Sequence, residues 1–199
     1  MTLPLRTCVL LLAGLALGVA GCGSGESITS YKVPKTTERG TNRVPTHRIL
    51  GAMYPASEPI WYFKFQGSIE ELTKHEADWE KLIASAKYKN ETDVPEFTLP
   101  AGWTKMGSRT KSGITTNEVI RIGTKEPPLE VTITYISPGP ESGLKKNLVR
   151  WGIQQLDGDY DPDALEGLAI PFDSTGGKGL RVDLRGPKNP AGGPMMKSR

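Results

Sequence analysis

The chain has 199 residues, with 25 Lys and Arg against 22 Asp and Glu, for a formal net charge of +3. That surplus is too small to imply a nucleic-acid groove, and the length fits one domain with extensions. The presence of only 2 Cys and 2 His removes most thiol, zinc and Ser-His-Asp chemistry.

The N-terminus reads as an address. Arg6 precedes an apolar run from Cys8 to Ala20. At about 13 residues this run is short of the ~20 that span a bilayer, and it matches the core of a signal peptide. Val19-Ala20-Gly21-Cys22 closes it, and small residues before a Cys resemble the lipobox of bacterial lipoproteins. The resemblance implies removal of residues 1–21 and attachment of acyl chains, palmitate among them, to Cys22. Two or more acyl chains give stable membrane anchoring where one does not. An ordinary secretory signal cut nearby is the plain alternative. Residues 22–45 follow as a lipidated Cys and a flexible tether rich in Ser, Thr, Gly, Pro and charge. Docking of Tyr31-Lys32-Val33-Pro34 as an edge strand is the alternative for that segment.

The folded part is expected from 46 to 186. Arg48 to Tyr54 is a first strand, ended by Pro55. Trp61, Phe63 and Phe65 alternate with Tyr62, Lys64 and Gln66, the period of a half-buried strand that Gly67 ends. Ser68 and Glu71 form a capping box. Ile69, Leu72, Trp79, Leu82, Ile83 and Ala86 then share one face of a helix over 68–88. Strands are expected near Thr104 to Arg109, Asn117 to Gly123 and Leu129 to Tyr135. Leu144, Leu148, Trp151, Ile153 and Leu156 mark a helix over 142–156, which the acidic segment 157–163 ends. Two last strands, from Leu168 to Phe172 and around Leu180 to Leu184, join through a Gly-rich turn.

Strict β-α alternation is absent, which argues against a doubly wound parallel sheet. The expectation is an α+β fold: a mostly antiparallel sheet of five to seven strands with two main helices packed on it. Residues 187–199 read as a disordered basic tail.

Five stretches taken together resemble a group of uncharacterised lipoproteins of planctomycete-type bacteria. They are the lipobox at Cys22, Tyr31-Lys32-Val33-Pro34-Lys35, Trp61 through Gly67, Leu99-Pro100-Ala101-Gly102-Trp103, and Asn147-Leu148-Val149-Arg150-Trp151 followed by Gln154. The resemblance implies an exported, lipid-anchored domain and assigns it no activity. From Phe97 onward the chain is also similar to PsbP-type domains. Those are α-β-α sandwiches that serve as accessory subunits, which implies a binding module.

The acidic run Asp157, Asp159, Asp161 is the best metal candidate, because alternating Asp can aim oxygens at Ca²⁺. It lacks the EF-hand glycine and terminal Glu, and a solvated loop after a helix explains the same residues. Asn147, Arg150 and Trp151 lie within about one helical turn, and with Trp103 they make a candidate interaction surface. Core packing is the plain reading of Trp61, Trp79 and Trp151. His47 and His75 have no spacing for a shared metal and are expected to be exposed. No nucleophile elbow or P-loop occurs.

The functional expectation is a non-catalytic accessory or binding domain of the cell envelope. It is exported and anchored by lipid on Cys22, at the periplasmic face or the outer membrane. It needs no cofactor, has a possible envelope protein partner and binds no nucleic acid. Two alternatives stand beside it: an envelope hydrolase using carboxylates, and a Ca²⁺-dependent structural protein built on residues 157–163.

Overall fold

Seven strands pair in the order β3-β4-β5-β2-β1-β7-β6, with every neighbour antiparallel. The strands are β1 His47–Tyr54, β2 Trp61–Ser68, β3 Trp103–Lys111, β4 Ile114–Ile122, β5 Leu129–Tyr135, β6 Ile170–Ser174 and β7 Gly177–Gly186. With the helices this is an α+β fold, as the periodicities predict. The computed structural model describes residues 43–190 except 91, 112, 125, 140 and 141. The signal segment, Cys22, the tether up to residue 42 and the tail from 191 lie outside the described residues.

The last strand ends at Gly186, and Lys188 beyond it still bonds to the domain. The Lys188 N–H donates to the Leu156 carbonyl at 3.0 Å and its Nζ to the Gln154 carbonyl at 3.2 Å. Lys188 is therefore tied to the end of the second helical segment, which the Pro-rich composition around it does not signal.

Two helical layers cover the sheet. On one face lie α1 Ile69–Lys74 and α2 Glu76–Ala84. Leu72, Trp79, Leu82, Ile83 and Ala86 are buried there against Leu50, Tyr54, Trp61, Phe63, Phe65, Val131 and Ile133. The single expected helix over 68–88 is broken at His75, whose φ of −111° and ψ of 7° leave the α region. The apolar face survives because the break takes up one residue only. Ser68 caps α1, accepting from the Glu71 N–H at 3.2 Å while its hydroxyl donates to Glu71 Oε2 at 3.1 Å.

On the other face lie α3 Leu144–Val149, a π-helical turn Arg150–Gln155 and a 3-10 turn Leu165–Leu168. Leu148, Trp151, Leu156 and Leu165 pack there with Ile49, Met53, Tyr62, Val182 and Leu184. The expected helix over 142–156 thus changes pitch halfway. Trp151 and Leu156, five residues apart, both enter the core. In an α-helix that spacing puts side chains about 140° apart; an i→i+5 turn stacks them, and the Leu156 N–H donates to the Trp151 carbonyl at 3.1 Å.

Strand β2 is covered on both faces rather than half-buried. Trp61, Phe63 and Phe65 are inaccessible, and Tyr62 is 2% exposed. Gly67 does not end it, since Gly67 and Ser68 still pair with Arg48 and His47. Gly51, opposite Lys64 and Val182 in the register, makes room for Trp151. A Cβ there would lie 2.5 Å from the indole ring.

Candidate binding site

The site lies on the α3 face of β2. Tyr62, Lys64 and Gln66 alternate onto that face, where Trp151 of the π turn packs on Tyr62 and Gln155 reaches Lys64. The Lys64 ammonium is half-buried and donates to Gln155 Oε1 at 3.3 Å. Burial, then the neighbouring Arg150 charge, pull the Lys64 pKa down to about 8. Arg150 donates to Asn147 Oδ1, and Asn147 donates from Nδ2 to the Gly143 carbonyl at 2.9 Å. The Tyr62 phenol is hydrogen-bonded to Asn147 and donates to the Pro59 carbonyl at 3.0 Å. Burial pushes that phenol up, while it lowers the Arg150 guanidinium.

Arg150 and Gln155 open and close the π turn. The same five-residue stacking that sends Trp151 and Leu156 inward brings Arg150 and Gln155 over Lys64. Two cations therefore meet with amide oxygens as their partners and, among the described residues, no carboxylate. Nearby, Glu130 is committed to Arg109, which holds it with two hydrogen bonds of 3.1 and 2.8 Å. Gln66, two residues along β2, has a buried Oε1 without a partner.

A second feature is the β3–β4 arm. After Trp103 every residue of β3 is exposed, and β4 is exposed at its start. β3 ends the sheet and is paired on one edge only. Its register shifts twice around Gly107, which has φ +79°, as expected of a bulged edge strand. Met106 is 52% and Ile114 68% exposed, flanked by Lys105, Arg109 and Lys111.

The residues singled out from the sequence are dispersed. Trp103 is not part of a surface. It is 6% exposed and packs against Phe65 and His75, with ring centroids 5.7 and 6.3 Å apart. Asn147 is also buried, at 1% exposure, because its amide satisfies the start of α3. Of that trio only Arg150 reaches solvent, and it belongs to the Lys64 cluster. His47 and His75 are half-buried rather than exposed.

Asp157, Asp159 and Asp161 are exposed and do not converge. Asp157 pairs with Arg43 at 3.2 Å, and Asp161 Oδ1 accepts from the Asp163 N–H at 2.9 Å, an Asx turn. Among the described residues no group of three or more His, Cys, Asp or Glu is placed to hold a metal ion. Carboxylates with a resolved shift among those residues, namely Glu76, Glu96, Asp163 and Asp183, are held below their ordinary range. A general acid for glycoside hydrolysis needs a shift in the opposite direction. Two surface hollows, about 160 Å³ beside Glu58 and Ile60 and about 330 Å³ beside Lys87 and Glu96, hold one acid each.

Sequence reasoning missed Lys64, Gln155 and Arg48. One signal for Lys64 was on the page: Tyr62 breaks the polar parity of β2, so the face carrying Lys64 also had to be covered. No protein-family model matches this chain, and neither does any curated protein or solved structure.

Proposed function

We propose that this chain is a lipid-anchored protein of the bacterial envelope whose α+β domain binds a protein partner rather than catalysing a reaction. The acyl chains on Cys22 tie it to the membrane, residues 23–45 set its reach, and the domain presents the β3–β4 arm. One observation carries the binding reading. The arm leaves Met106 and Ile114 in solvent, two of the five exposed large apolar side chains among the described residues, the others being Val44, Leu168 and Ile170. Two exposed apolar residues on one edge hairpin, each among charged neighbours, suit a docking surface. The anchoring reading rests on the small residues before Cys22.

Two experiments test these readings separately. Cys22→Ala should move the protein from the membrane to the soluble fraction. Retention of that variant on salt-washed membranes would remove the anchor. A photocrosslinking residue at Met106 or Ile114 should trap one stoichiometric protein in intact cells, and the same residue at Lys74 on exposed α1 should not. Equal labelling from all three positions would show that the arm has no partner of its own.

A further inference from the structure

We propose that Lys64 and Arg150 form a binding site for a doubly charged phosphate-type oxyanion, seated between β2 and the π turn. This site is distinct from the β3–β4 arm and needs neither the anchor nor the partner to be correct.

Lys64 Nζ has three donors and one bond, at 3.3 Å to Gln155 Oε1. Arg150 has five donors, and its side-chain bond goes to Asn147 Oδ1. Among the described residues neither side chain pairs with a carboxylate. A half-buried ammonium beside a guanidinium is unfavourable unless a counter-charge joins them. The fold nevertheless builds this arrangement by changing helical pitch at Arg150–Gln155. π turns occur frequently at functional sites.

The chemistry of the donors sets the ligand class. A guanidinium fork and an ammonium together match two negative charges, with several oxygens to accept their hydrogen bonds. A single carboxylate would satisfy the Arg150 fork and leave Lys64 unmatched. Gln66 adds an amide with an unsatisfied buried end on the same strand face, and a half turn of that amide offers its NH₂ to the ligand. Arg150 is exposed, so the site opens to solvent on its side.

The site is also pH-dependent by construction. Lys64 in the free protein loses its proton near pH 8. A bound dianion restores the charge, so binding takes up a proton above that pH. Arg150 keeps its charge throughout, and the Tyr62 phenol, raised by burial, stays neutral. Affinity should therefore fall as pH rises above 8, by at most about tenfold per unit.

The test uses the full chain in nonionic detergent micelles. Inorganic phosphate is titrated by calorimetry at constant ionic strength, with acetate as the control anion. In a second arm the micelles contain phosphatidate. The expected result is saturable binding of at least one phosphate probe, weakened about tenfold or more in both Lys64→Met and Arg150→Met. Lys64→Arg should retain binding and lose its dependence on pH above 8. Binding of free phosphate marks a soluble ligand, whereas binding of phosphatidate alone marks a lipid headgroup. The proposal is overturned if phosphate and acetate act alike and phosphatidate adds nothing. It is also overturned if Lys64→Met, with its thermal transition intact, binds as well as the parent.

Discussion

Two cations, one buried and one half-buried, sit on opposite faces of the same sheet, and their surroundings differ in one respect. Arg48 on β1 is 3% exposed and is met by two carboxylates. Its guanidinium donates to both oxygens of Glu76 on α2, at 2.8 and 2.9 Å, and to both oxygens of Asp183 on β7, at 2.7 and 3.0 Å. Lys64, on the far face of the adjacent strand, finds an amide oxygen and another cation. The charge at Arg48 is closed by the protein itself, and the bonds hold three elements together. The charge at Lys64 is left open. A protein can bury a cation as a clamp or as a socket, and the presence of a carboxylate tells the two apart.

The largest effect expected from this contrast is at the clamp. Arg48→Leu leaves Glu76 and Asp183 facing each other without their cation; both carboxylates are partly exposed, at 43% and 38%, so solvent screens part of the loss, which should be about 2–3 kcal/mol. Urea unfolding of the two proteins at pH 7 measures it. A loss under 1 kcal/mol would show that Arg48 is a solvated surface group and that the contrast is false.

The socket should respond with the opposite sign. The folded Lys64 pKa lies near 8, below the ordinary 10.5. Between those values the unfolded chain holds a proton that the folded chain has lost, so stability rises with pH. Below pH 8 both states are charged and burial is a net cost. Lys64→Met should therefore be as stable as the parent or more so at pH 7, by up to ~3 kcal/mol. That advantage should shrink from pH 8 to 10 in chemical denaturation. A variant less stable at pH 7, with a difference that ignores pH, would mean that Lys64 is a satisfied structural residue.

The smallest effect is the acid limb of the clamp. The Arg48 hydrogen bonds hold Glu76 below the usual carboxylate range; at Asp183 burial opposes the shift, but Arg48 and Arg185 outweigh it. The stability these groups add is complete above the unfolded carboxylate value, near 4, and is lost as pH falls through the folded values. Glu76→Gln should flatten the acid side of a stability-against-pH curve and leave its shape above pH 6 unchanged. An unchanged acid limb would assign acid unfolding to other carboxylates.

Much of the fold was legible because its causes are local. Alternation in β2 and β5, the Ser68–Glu71 cap, and the apolar spacing of Leu72, Trp79, Leu82 and Ile83 are written within a few residues of each other. Errors arose where a neighbour distant in sequence decided the outcome. The apolar spacing persists through His75, so no residue pattern marked the break. The break starts α2 at Glu76, in reach of Arg48. The π turn at Arg150 was hidden because its cause is the space that Gly51 leaves for Trp151, a hundred residues earlier in the chain. Trp103 looked available for a surface because the segment before it is Pro- and Gly-rich. Packing on Phe65 and His75 put it inside.

The amino-acid sequence by itself determined the α+β class, the seven strands and the two helical regions, because periodicity, caps and turns act over short stretches of chain. Only the tertiary structure decided that both faces of β2 were covered, where the helices broke, and which cations were matched. Those outcomes depend on side chains that approach across the sheet from distant parts of the chain. Arg48 meets Asp183 and Lys64 meets Gln155 only after β1, β2, β7 and the π turn have assembled.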